Sequence, residues 1–131
     1  MVNKSMRKIH RKKAAFTLVE IMIVVAIIGL LAALAIPGFV KARKQSQGRR
    51  ALNDARQMDA AIDQWALEKG KKDGDTITTS EAATYLKGAW PSTDPLGNNY
   101  DHSAGVGSNQ VVISSTTKTV LSGVGIDWGP Y

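Results

Sequence analysis

From Ile21 to Ile36 every residue is apolar or glycine. The run extends over Phe16–Val40, 25 residues, when Thr17, Glu20 and Pro37 are included. About 20 such residues cross a bilayer core as a helix, so this segment is long enough to span. The pattern then changes. Leu52, Ala55, Met58, Ile62 and Trp65 recur three or four residues apart, which predicts one apolar stripe on a helix over 41–69. Arg56, Asp59, Asp63 and Lys69 fall off that stripe, and Gly70 stands where a helix C-cap is expected. Taken together, residues 16–69 predict one long helix, interrupted near Gly29 and Pro37 and weakened at Gly48.

Beyond Gly70 the periodicity is short. "KKDGDTITTSEAATYLKG" predicts a polar loop and a short helix, with Thr78 and Glu81 as a capping box, Ser80 as a rival cap and Gly88 as a stop. "WPSTDPLGNNYDHSAGVGSN" carries turn residues throughout. "QVVISST" and "KTVLSG" predict two strands joined as a hairpin across Thr116–Thr117, with further strand in the 90–107 loop. The tail "VGIDWGPY" leaves Trp128 and Tyr131 to pack or to meet a neighbour. The expected fold class is α+β: a long N-terminal helix, apolar in its first half and amphipathic in its second. The second half packs on a small C-terminal head with a short helix and a β-hairpin.

The distribution of charge sharpens this division. Residues 1–15 hold Lys4, Arg7, Lys8, Arg11, Lys12 and Lys13 and no acid, which equals the chain's whole net charge of +6. Lys41, Arg43, Lys44, Arg49 and Arg50 follow the apolar run. From Ala51 onward six basic residues face ten acidic ones. The basic excess is thus confined to a leader, and no nucleic-acid surface is indicated. The cations before the span place the N-terminus in the cytoplasm. Without cysteine there is no disulfide and no thiolate ligand or nucleophile. His102 beside Asp101 reads as a loop histidine, and no nucleophile–base pair or metal cluster points to an enzyme.

One residue does not suit a simple span. A carboxylate such as Glu20 is expensive to place unpartnered in lipid and calls for a counter-charge.

The stretch "A-FTLVEIMIVVAIIGLLAALAIP" resembles the class III signal of type IV prepilins and of type II secretion pseudopilins. The resemblance covers Lys12–Arg43, with Ala15 standing where that family usually has glycine. It implies a basic leader over 1–15, cleavage between Ala15 and Phe16 by a prepilin peptidase, and N-methylation of Phe16. Glu20 takes the family's glutamate position, pairing with the Phe16 amine of its own chain or of a neighbour during assembly. Gly29 and Pro37 match the family's helix-loosening positions. The implied organisation is pilin-like: a transmembrane and filament-core half over 16–40, and a periplasmic or surface head over 41–131 that includes the amphipathic half 41–69. The implied function is a structural subunit of a type IV pilus-like or type II secretion pseudopilus filament. Its implied partners are copies of itself, the peptidase and methyltransferase, an inner-membrane assembly platform and the lipid bilayer before assembly.

"DPLGNNY" over 94–100 is similar to a segment of the major pseudopilins, some of which bind calcium in their C-terminal loops. Asp94, Asp101 and Asp127 are weak calcium candidates, because their spacing fits no compact calcium loop and solvated turns explain them better. No other cofactor is expected. The competing reading is a soluble secreted binding protein, or a membrane-anchored periplasmic one, with an ordinary signal or anchor. Ala33–Leu34–Ala35 looks like a signal-peptidase site, and cleavage there would start the chain at Ile36 and discard Glu20.

Overall fold

The computed structural model describes residues 15–131; the basic leader expected over 1–15 lies outside the described residues except for Ala15, and so does His10. The chain divides into two units, Met1–Pro37 and Gly38–Tyr131. Helix α1 spans Leu18–Lys69. It is followed by α2, Thr79–Ala82, which runs into a 3-10 turn over Ala83–Tyr85, and by α3, Ser115–Val120.

Within the first unit the described side chains find no core. Leu18, Met22, Leu30 and Leu34 are all exposed, and Phe16 is 81% exposed. A helix that is hydrophobic all round is stable only when something outside the chain covers it, and its apolar length suits lipid. The expected interruption near Gly29 and Pro37 is not seen, because α1 is assigned without a break through both. Proline removes one backbone donor, and the turns on either side keep their own bonds.

The second unit contains the core. Leu52, Ala55, Met58, Ile62 and Trp65 are buried, as their spacing predicts, and Ala51, Ala61 and Ala66 widen the stripe. Ile77, Ala82, Tyr100, Val106, Val111 and Ile113 pack with the stripe, with Trp90, Ile126, Trp128 and Tyr131 around the rim. Gly70 ends α1 at a φ of 62°, and the Lys71 N–H donates to the Ala66 carbonyl at 2.9 Å. That six-residue closure is a Schellman stop, and its left-handed position is the reason a glycine stands there. Gly48 has a role the sequence did not reveal. A Cβ there would lie 1.9 Å from Ile126 Cδ1, so the glycine admits the C-terminal segment against the helix.

Three expectations for the head are corrected. The hairpin across Thr116–Thr117 is not formed: those residues lie in α3, and no strand is present among the described residues. The Ser114 side chain accepts from the Thr116 N–H and starts the helix, while the Thr117 hydroxyl is buried and donates to Asp94. These two anchors outweigh the β-propensity of the threonines and valine. The 90–107 loop is likewise without strand, holding only the bridges Thr93 to Asn99 and Asp101 to Val112. The Thr78–Glu81 capping box is also absent, since Thr78 takes the N-cap position with no side-chain bond. Glu81 instead accepts from Trp65 Nε1 at 2.8 Å. A buried indole N–H needs a partner, and it draws the carboxylate away from the local cap.

Candidate functional site

Ala15, Phe16 and Thr17 precede α1 and lie outside helix. The peptide bond between Ala15 and Phe16 is therefore in irregular backbone, and both flanking residues are exposed. Thr17 and Glu20 then make a reciprocal pair. The Glu20 N–H donates to Thr17 Oγ1 at 3.2 Å, and the Thr17 N–H donates to Glu20 Oε2 at 3.3 Å. With Thr17 at the N-cap and Glu20 at the third helical position, this is a capping box. The T-x-x-E spacing was legible in the sequence but concealed by the reading of the stretch as a span. Glu20 also lies in the first turn, where the helix dipole favours a negative charge.

The arrangement has a chemical consequence. In the uncut chain the Phe16 nitrogen is an amide and carries no charge, so Glu20 is held by a backbone N–H rather than by a cation. Cleavage after Ala15 would turn that nitrogen into an ammonium next to Thr17. The carboxylate then has a choice between its cap and a full positive charge. Gly29 and Pro37 lie further along α1, and a Cβ at Gly29 would meet nothing within 4 Å, so no contact in the chain requires glycine there.

The carboxylates considered for calcium are not brought together. No cluster of three potential metal ligands occurs among the described residues. Asp94 is buried rather than solvated: its carboxylate accepts from the Leu96 and Asn98 N–H groups at 2.9 and 3.0 Å and from the Thr117 hydroxyl. It fixes the "DPLGN" turn and pins α3. Asp101 accepts from the Ser103 N–H and Oγ, and those bonds lower its pKa. Asp127 accepts from the Gly129 N–H at 3.0 Å. His102 lies beside Trp90 with ring centroids 5.8 Å apart, and its Nδ1 sits 2.8 Å from the Gln110 carbonyl, so no dyad with Asp101 forms.

Sequence reasoning also missed a polar anchor in the head. The buried Gln110 donates through Nε2 to both Asp59 Oδ1 and Asp63 Oδ1, at 2.6 and 2.7 Å. Tyr131 reaches Asp59 Oδ2 at 3.1 Å. Two acids that read as an exposed helix face thus receive the loop and the tail.

Comparison with known proteins places this geometry. Residues 10–36 match the prokaryotic N-terminal methylation motif. The chain is 42% identical over 73 residues to the type IV major fimbrial protein FimA of Dichelobacter nodosus, covering 56% of this chain and 46% of that protein. It is 29% identical over 90 residues to the type II secretion system core protein G of Klebsiella pneumoniae, covering 69% and 61%. The corresponding protein of Escherichia coli (strain K12) is 32% identical over 90 residues, covering 69% and 59%. The chain spans between about a third and three fifths of the length of the curated relatives it matches first. No solved structure matches it. The chain carries a prepilin-type N-terminus, and its relatives are type IV fimbrial and type II secretion core proteins.

Proposed function

We infer that this chain is a structural subunit of a type IV pilus-like or type II secretion pseudopilus filament, made as a precursor and assembled through its N-terminal helix. The carrying observation is the bare apolar helix from Leu18 onward with its one carboxylate, Glu20, four residues from Phe16 and inside the methylation motif. Before assembly, lipid covers the run 16–40. In the filament, copies of the same helix replace the lipid, and Gly29, Ala32, Ala33 and Ala35 allow close approach. An unpartnered carboxylate within a span is costly, and the Phe16 amine of a neighbouring copy offsets that cost at the moment of joining. Methylation leaves the amine basic, so the pair survives it. Gly29 and Pro37 then provide the turns at which the helix can loosen as copies pack.

In this reading a prepilin peptidase cuts between Ala15 and Phe16 and methylates Phe16, and an assembly platform delivers the subunit. The chain begins as a single-pass inner-membrane protein with its N-terminus in the cytoplasm. Its head lies in the periplasm and later on the filament. The role is structural, not catalytic.

Intact mass and N-terminal sequencing of the protein from its native membrane test this directly. A start at methylated Phe16 is expected. A start at Ile36 would overturn the reading in favour of an ordinary secreted protein, and an uncut chain would leave only an anchor. Glu20→Gln should insert normally and lose most filament yield.

A further inference from the structure

The segment after α3 lies on α1 as a strap, held by three side-chain clips. Gln45 Nε2 donates to the Val124 carbonyl at 3.1 Å, Ile126 fills the notch left by Gly48, and the Tyr131 hydroxyl donates to Asp59 Oδ2 at 3.1 Å. From Gln45 to Asp59 the clips cover about 21 Å of helix. Exposure alternates along the strap: Val124, Ile126 and Trp128 are buried or half-buried, whereas Gly125, Asp127 and Gly129 are exposed. That is the period of an extended chain with one covered face. Yet among the described residues no strand pairs with it, and no backbone–backbone hydrogen bond joins 124–131 to another element. Its amides close locally instead, the Gly129 N–H on Asp127 Oδ1 and the Tyr131 N–H on the Trp128 carbonyl. No residue from Gly125 to Tyr131 is fully buried, while Ala55, Met58, Ile62 and Trp65 of the stripe all are. A hollow of about 190 Å³ between Leu52 and Val124–Asp127, and one of about 240 Å³ beside Asp59 and Tyr131, leave both ends of the strap loosely packed.

We propose that 124–131 is a latch, which opens from α1 as one unit while the rest of the head stays folded. A segment opens below global unfolding when it buries little apolar surface and shares few hydrogen bonds with the remainder, and the strap meets both conditions. The hinge lies at its start. Gly123 and Gly125 flank Val124 at φ of 78° and 72°, and a Cβ at either would meet nothing, so glycine serves the backbone there and not the packing. Such residues absorb a large change of φ and ψ at low cost, as a hinge requires. The three clips hold one short chain, so the loss of any of them weakens the others. Opening exposes the apolar faces of Ile126 and Trp128 and the turn of α1 around Gly48, while Met58 and Trp65 remain covered.

The chain holds three tryptophans, Trp65, Trp90 and Trp128, and no cysteine, which makes the latch testable in place. The full chain, labelled with 5-fluorotryptophan and held in micelles, is followed by fluorine NMR through a urea titration. Trp128 should leave its folded resonance at lower urea than Trp65. Coincident midpoints in the wild type would overturn the latch. Gln45→Ala and Tyr131→Phe remove clips at opposite ends, and each should raise the open population at Trp128 about fivefold without moving Trp65. A response to Tyr131→Phe alone would mean that the segment frays from one end, and the latch would again be overturned. The pair Gly48→Cys with Ile126→Cys supplies a lock. A Cβ at position 48 would lie 3.1 Å from Ile126 Cγ1, one bond from the Ile126 Cβ, which suits the separation of about 3.5–4.5 Å between the β-carbons of a disulfide. Oxidised, this variant should unfold at Trp128 and Trp65 together; reduced, the two midpoints should separate. Separate midpoints in the oxidised protein would show that the strap is not the moving element and refute the proposal.

Discussion

The two halves of α1 obey opposite rules. Over 18–37 the apolar residues surround the axis and are exposed; over 48–66 they keep to a stripe and are buried. The two halves share helical hydrogen bonding but not the medium that covers them. Among the described residues a side chain in the first half packs into no core, and its apolar character suits lipid. A side chain in the second half answers to the head. The same substitution should therefore have unequal effects on the two halves.

The largest contrast is Trp65→Ala against Leu30→Ala. Trp65 is fully buried, donates to Glu81 and carries the Lys71 ammonium 5.5 Å from its ring centroid. Its truncation should destabilise the head by about 3–5 kcal/mol. Leu30 is 68% exposed, and Leu30→Ala should stay within about 0.5 kcal/mol. Thermal unfolding of the full chain in micelles, followed by near-UV circular dichroism, reads both. Comparable losses would mean that the first half packs on something within the chain.

Asp94→Ala probes the head where sequence reasoning was weakest. The change leaves the Leu96 and Asn98 amides and the Thr117 hydroxyl without their acceptor, and should cost about 1–3 kcal/mol in the same measurement. The periodic and local features of this fold were readable in advance. The stripe from Leu52 to Trp65 and the stop at Gly70 depend only on spacing and on one left-handed residue. The hairpin expected across Thr116–Thr117 failed because its outcome rests on Asp94, 23 residues away. No window of sequence around the threonines contains that bond. The Thr78–Glu81 capping box failed for the same reason, because Trp65, 16 residues upstream, holds the Glu81 carboxylate. At the N-terminus the methylation motif was legible because it is written in consecutive residues. The cap that holds Glu20 was equally local, but a membrane reading hid it.

The glycines of α1 sharpen the same comparison with opposite signs. Gly48→Ala drives a methyl into Ile126 and should cost about 1–3 kcal/mol from overpacking, less about 1 kcal/mol regained in helix propensity. Gly29→Ala meets nothing and should only gain helix propensity. Denaturant unfolding should rank them on either side of the wild type. A destabilising Gly29→Ala would contradict the bare first half.

Tyr100 adds a pH arm confined to the head. Burial first, then the charges of Asp54 and Asp94, raise its hydroxyl pKa far above the usual value. An unfolded tyrosine ionises near 10. The folded state therefore holds the proton more tightly, and the stability contributed is complete below pH 10 and lost as pH climbs above it. Tyr100→Phe should flatten the alkaline decline, measured as denaturant midpoint between pH 9 and 11.

The smallest effect on the fold falls at the start of α1, where it discriminates most about function. Thr17→Ala removes one arm of the capping box and should destabilise the first turn by about 0.5–2 kcal/mol, with the head's unfolding unchanged. Hydrogen exchange at the Thr17 and Glu20 amides reads that loss. Glutamine can occupy the third position of a capping box, so Glu20→Gln keeps the reciprocal bond while removing the charge. Glu20→Ala removes both. If the charge serves assembly, Gln and Ala should fail equally in filament yield although only Ala and the Thr17 variant fray the helix. If Gln assembles like the wild type, Glu20 is merely a cap, and the amine at Phe16 has no carboxylate to meet.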